Sequence, residues 1–157
     1  DSQLTDCTIE TKKRMKDSWF FSSNYTRCKF KGKFAGMDFG RSPWPDALTR
    51  AMDKYGDLVA CDFTDATLDL CRFFNVDINQ QKFAPWPQFV IPHDRELAAA
   101  GSNRVWPGKF AEFLAIAKQE NSALAATTGT AAYFMKRNAI TQEELEQALE
   151  QIGGVIR

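Results

Sequence analysis

Leu58-Val59-Ala60-Cys61-Asp62-Phe63-Thr64, then Leu70-Cys71-Arg72-Phe73-Phe74-Asn75-Val76, then Trp86-Pro87-Gln88-Phe89-Val90-Ile91, are the segments on which the fold reading turns. Asp57 to Phe63 has an unbroken apolar centre, the pattern of a strand buried on both faces. Before it, Leu48, Met52 and Tyr55 recur at helical spacing and stop at Gly56, which gives a helix over 46–55. A helix followed by a buried strand is the order of a βαβ unit with a parallel pair. Leu68, Cys71 and Phe73 or Phe74 mark a short helix opening after Thr64-Asp65, either of which can cap it. Pro87 leads into an apolar strand over 88–91, which Pro92-His93-Asp94 ends.

Upstream, Cys28 to Phe34 alternates strictly, with Phe30 and Phe34 on one face and Lys29, Lys31 and Lys33 on the other, as in a half-buried strand. After a kink at Gly36 it continues into Met37-Asp38-Phe39. Lys12 to Phe21 is charged and then aromatic, and reads as a short helix ending near Ser22-Ser23-Asn24. Downstream, Arg95 to Trp106 has weak strand or turn character. Pro107-Gly108 opens an amphipathic helix carrying Phe110, Phe113, Leu114 and Ala117. Ala123 to Ala132 reads as a loop or loose helix. Thr141-Gln142-Glu143-Glu144 has capping-box form, with Leu145, Leu149 and Ile152 as the apolar stripe and Gly153-Gly154 as the stop. No internal repeat and no low-complexity tract stands out.

The order of these elements over residues 28–118 resembles the thioredoxin fold, and the three quoted segments are similar to a protein disulfide isomerase domain. The resemblance implies an α/β chain: a thioredoxin-like three-layer fold with a central mixed sheet over 28–121, an N-terminal extension over 1–27 and a C-terminal helical tail over 122–157. It also implies a cis bond before Pro87. Redox-active members place CxxC where the first strand meets its helix, because the helix N-terminus stabilises the thiolate. Here that junction reads Gly40-Arg41-Ser42-Pro43-Trp44-Pro45-Asp46, without sulfur. The resemblance therefore implies a redox-inactive protein-binding module, not an enzyme, acting as an accessory subunit of a larger assembly or as a chaperone-like binder. By the same resemblance Cys61 and Cys71 form a structural disulfide, which leaves Cys7 and Cys28 as a second pair. The alternative is a thiol-disulfide oxidoreductase using a displaced Cys61/Cys71 pair. Trp44, Trp86 and Pro87 would converge on the family's substrate-binding face, and Trp19 and Phe20 are further aromatic anchors for a protein partner.

Composition agrees with a single globular unit. The chain has 157 residues, 44% of them hydrophobic, and its 20 basic and 20 acidic residues cancel. No overall field draws it to nucleic acid or an anionic membrane, and no apolar run is long enough to span a bilayer. Asp1 in place of a methionine suggests a removed leader or a trimmed terminus. Four cysteines permit full pairing by any of three connectivities in an oxidising lumen or secretory compartment, and the Asn24-Tyr25-Thr26 sequon would fit that route. The cysteine spacing does not suit zinc, and one histidine cannot complete the usual ligand set. No cofactor is implied, since the glycines meet neither phosphate-loop pattern. Lys29, Lys31 and Lys33 offer either a ridge for nucleic acid or a solvated strand face, and the neutral total favours the latter. His93 reads as a surface or loop residue, and Glu143, Glu144, Glu146 and Glu150 as a solvated helix face.

Overall fold

A computed structural model describes residues 2–41, 55–119 and 123–157, with the side chains of 117–119 left aside. The helix expected over 46–55 lies outside the described residues apart from Tyr55, as does Trp44. From its N-terminus the chain winds through coils whose strands stack in register. β1 (Ser2–Thr5), β5 (Ser23–Thr26) and β8 (Leu58–Val59) form one parallel sheet. β2 (Thr8–Glu10) and β3 (Met15–Lys16) lie on β6 (Lys29–Ala35), which lies on β9 (Asp62–Asp69) and then β11 (Lys82–Phe83), all parallel. β4 (Trp19–Phe20), β7 (Asp38–Gly40) and β10 (Arg72–Phe74) make the third parallel stack. Each coil thus contributes a strand to each of three walls, the geometry of a solenoid whose units contact only their neighbours.

One sequence unit builds the coils: apolar residue, two residues, a small or sulfur-bearing residue, one residue, then an apolar residue that is usually aromatic. It occurs as Leu4/Cys7/Ile9, Tyr25/Cys28/Phe30 and Leu58/Cys61/Phe63 at one corner, and as Met15/Ser18/Phe20, Phe34/Met37/Phe39 and Leu68/Cys71/Phe73 at the next. The residue before the central one has positive φ every time: Asp6 54°, Arg27 50° and Ala60 52°, then Asp17 47°, Gly36 59° and Leu70 49°. A left-handed residue turns the strand sharply while its neighbours stay extended, so every unit ends one wall and begins another.

Stacking this unit builds the core. Phe20, Phe39 and Phe73 form one column, with centroids 5.1 Å apart at both steps, and Phe30, Phe63 and Phe83 form a second at 4.6 and 5.6 Å. The columns meet edge to face, as in Phe30–Phe39 at 88° and Phe63–Phe73 at 86°, the geometry the ring quadrupole favours.

Beyond the coils, β13 (Leu124–Thr130) pairs antiparallel with β10, and β12 (Gln88–Pro92) pairs antiparallel with β13. Helices α1 (His93–Ala100), α2 (Phe110–Gln119), α3 (Ala131–Asn138) and α4 (Gln142–Ile152) follow. Successive residues of β12 serve opposite cores: Val90 faces the coils, whereas Phe89 and Ile91 join Phe110, Phe134 and Leu149 under the helices.

The mixed α/β class holds, and the third sheet is mixed. Its inner face is covered by the other two walls, so the described residues do not form the three-layer thioredoxin-like arrangement. The expected helix over 12–21 is β3 and β4, and the one after Thr64-Asp65 is β9 and β10, because both segments must pair with the next coil. Residues 1–27 are no appended extension: 2–26 supply the first coil and begin the second. Residues 122–157 are no appended tail, since β13 lies inside a sheet. A repeat is present after all. Twenty-one residues separate Cys7 from Cys28, but thirty-three separate Cys28 from Cys61, and the longer interval contains 42–54. At its ends Arg41 Nε and Nη2 donate to Asp57 at 2.6 and 2.8 Å.

Candidate interaction surfaces

Trp44, expected to converge with Trp86 and Pro87, lies outside the described residues, and the further anchors stand apart from Trp86 and Pro87. Trp19 is 57% exposed on β4, at one edge of the third sheet, while Trp86 and Pro87 precede β12 at the opposite edge. Four strand spacings of about 4.8 Å put them roughly 19 Å apart. Trp86-Pro87 is cis, as the resemblance implied. Trp86 is half-buried, stacked on Phe89 at 6.3 Å with the Arg157 guanidinium 5.9 Å from its ring centre. Phe20 points inward to its column, because alternate residues of a strand face opposite sides.

The cysteines stand at coil corners, all as free thiols. Cys61 and Cys71 lie at the two ends of β9, whose eight residues span about 26 Å, whereas a disulfide needs Cα atoms within about 7 Å. Cys7, Cys28 and Cys61 instead stack in successive coils. Their roles are local: Cys28 Sγ lies 3.4 Å from the Leu4 carbonyl and Cys61 Sγ 3.4 Å from that of Tyr25, each a weak bond to the preceding coil. The expectation of an oxidising compartment leaned on paired cysteines, and this stacking removes that support. Asn24 also has a structural task, since its side-chain oxygen accepts from the Asp57 amide at 3.1 Å.

Burial pushes the Cys61 thiol up to about 11 and that of Cys71 up to about 12. Native protein at neutral pH should therefore be alkylated first at half-buried Cys7, with Cys61 and Cys71 reacting only on unfolding and without added reductant. Peptide mapping checks this, and early modification of Cys71 would contradict it. A raised thiol pKa also fixes the sign of the alkaline limb. Folded chain keeps these protons while unfolded chain loses them near 9, so their contribution to stability is whole below pH 9 and fades as pH rises toward 11–12.

The lysine face is solvated and internally neutralised: Lys29 Nζ lies 2.8 Å from Asp65 and 3.9 Å from Asp62, while Lys31 stands opposite Asp65 and Lys82 opposite Asp62 in the register. His93 is buried at the start of α1, contrary to the surface reading, with Nδ1 3.9 Å from Glu96 Oε2. The glutamates of α4 are on its solvent side, where Glu144 closes the capping box with Thr141. Among the described residues no group of His, Cys, Asp and Glu is suited to a metal ion, and no helix is long and apolar enough to cross a membrane.

Two surfaces remain. The first is the N-terminal end of the coil stack. At the other end, side chains cover the last coil: Gln81 accepts from the Cys61 amide and donates to the carbonyls of Leu58 and Asp77, Gln88 accepts from the Leu68 amide, and Thr128 Oγ1 lies 3.3 Å from the carbonyls of Leu68 and Cys71. No such cover lies over the first coil among the described residues. β1, β2, β3 and β4 are each paired on one side only, and Leu4, Cys7, Ile9 and Phe20 are part-exposed where their successors Cys28, Phe30 and Phe39 are wholly buried.

The second surface is a cleft of about 270 Å³ between the second corner of the coils and the helices. Asp17, Gly36 and Leu70, the left-handed residues of that corner, form one side, and Phe113 and Ile116 of α2 with Arg137 of α3 form the other. Arg72 and Thr127 lie in its floor. Arg72 Nε and Nη2 donate to Asp38 at 2.8 and 2.9 Å, an ion pair whose carboxylate is buried. Sequence periodicity could not find this cleft, because its walls come from segments a hundred residues apart. The corner units themselves were detectable by their five-residue spacing. Neither the known protein families nor the curated proteins nor the solved structures contain a match to this chain.

Proposed function

We propose that this chain is a non-catalytic protein-binding module, an accessory or scaffolding part of a larger assembly. The observation that carries the reading is the difference between the two ends of the coil stack among the described residues: glutamine and threonine side chains cover one, and none of the described residues lies over the strand edges and interior side chains of the other. Uncovered ends of repeat stacks and unpaired strand edges are templates for association. Exposed Trp19 and Met15 sit on this coil, and aromatic residues are the usual anchors of protein interfaces. The support is therefore the open coil, in place of the thioredoxin-like face on which the sequence reading put Trp44, Trp86 and Pro87. High thiol pKa values and a long Cys61–Cys71 separation support the redox-inactive part of the reading.

The test is purification from the source organism. A partner in fixed ratio is expected with the native chain, and its loss with a Met15→Ser, Trp19→Ser variant that melts within a few degrees of the native protein, since exposed positions cost little. Recovery of the native chain alone sinks the proposal.

A further inference from the structure

We propose that the cleft between the second coil corner and helices α2 and α3 binds a free α-amino acid with an apolar side chain. Opposite charges line it: Asp17 belongs to the corner and Arg137 to the last turn of α3. Both are exposed, and among the described residues neither takes part in an ion pair. Arg72 is a neutral part of the floor, its charge met by Asp38. Among the described residues that line the cleft, the charges without an ion-pair partner are one carboxylate and one guanidinium, which complement the ammonium and the carboxylate of a zwitterion.

The rest of the lining suits a hydrocarbon side chain. Leu70, Leu124, Phe113 and Ile116 face the cleft, and Ile116 is 54% exposed although it sits beside the core of α2. Size sets the class of ligand. At about 270 Å³ the cleft falls just below the roughly 300–1,000 Å³ of sites that hold drug-sized molecules and matches a ligand the size of one amino acid. Gly36 helps create the space, since a Cβ there would lie 2.5 Å from the Asp17 carboxylate. The carboxylate therefore rests over bare backbone at the cleft wall.

Leucine and phenylalanine are the probes, titrated into the full chain by calorimetry and by saturation-transfer NMR, beside N-acetyl-leucine, which lacks the ammonium, and leucine amide, which lacks the carboxylate. Binding of at least one amino acid at about 1 mM or tighter is expected. Arg137→Gln should weaken it by about tenfold or more, and Asp17→Asn by a similar factor. Both changes are on exposed side chains, and asparagine tolerates the left-handed backbone at position 17. N-acetyl-leucine and leucine amide should each bind about tenfold less tightly than leucine. No binding of either amino acid up to about 10 mM overturns the proposal. So does binding indifferent to both substitutions, or N-acetyl-leucine binding as tightly as leucine, which would make the cleft a plain anion site. Because Asp17 and Arg137 are distinct from Met15 and Trp19, this result is read separately from the partner-binding test.

Discussion

Phe39→Ala is expected to lower the free energy of unfolding by about 3–5 kcal/mol, the range for truncating a buried phenylalanine. Phe39 has no solvent exposure. It is the middle ring of one column, stacked on Phe20 and Phe73, and it meets Phe30 and Phe63 of the other column edge to face. Removing it leaves a hole in the central coil with coils on both sides, and neither neighbour can close it without leaving its own strand register. Denaturant unfolding followed by circular dichroism measures the change. A loss below about 1 kcal/mol would mean that the columns are not the core of the fold.

The second large effect is expected at Gly40, the last residue of β7. Its φ is 101°, and a Cβ would lie 2.0 Å from the Phe74 carbonyl oxygen and 2.7 Å from Val76 Cγ2. The nearest atom is backbone of the paired strand, so relief requires moving β10. Gly40→Ala should cost about 3 kcal/mol or more, combining strain at positive φ with the displaced strand. Gly153→Ala is the control. That glycine also has positive φ, 72° with ψ 159°, but nothing lies within 4 Å of its Cβ position, so only backbone strain of about 1–3 kcal/mol is at stake, without a displaced strand. Equal losses at the two positions would contradict the close approach of β7 and β10.

Both substitutions bear on function through the same architecture. The interior of the first coil is ordered because the second coil supports it, so loosening the centre weakens the open end on which the proposed partner rests. Arg14 links the same coil to the helices: its guanidinium lies 3.4 Å from Asp69 Oδ2, while Asp69 Oδ1 accepts from Thr130 Oγ1, and it lies 5.9 Å from the Tyr133 ring centre. First coil and cleft are thus parts of one packed unit.

Local pattern alone determined several elements. Strict alternation from Cys28 fixed β6, with Phe30 and Phe34 inside, because a strand can bury only alternate residues. Three apolar residues after Pro87 fixed β12, which is buried on both faces. Thr141 to Gly153 fixed α4, since cap, stripe and stop are all encoded within a dozen residues. Pro107-Gly108 likewise announced α2.

Tertiary structure decided the rest. Leu68 to Phe74 has apolar residues at spacings that a helix or a coil corner satisfies equally well. Only pairing with β6 and β7 makes it strand, corner and strand. Leu124 to Thr130 is built mostly of small residues with no period of its own, and it becomes a strand because β10 and β12 pair with it on either side, with Gly129 leaving room for the ring of Phe134. α1 follows Pro92 without a side-chain cap, so no local signal marks its start. The cysteines looked like a disulfide framework because an even count is compatible with pairing, whereas their positions follow from the corners of a repeat whose period is broken by residues 42–54. Sequence determines which residues seek burial, but a coil is stabilised by the coil above and below it, and that contact exists only once distant segments have stacked.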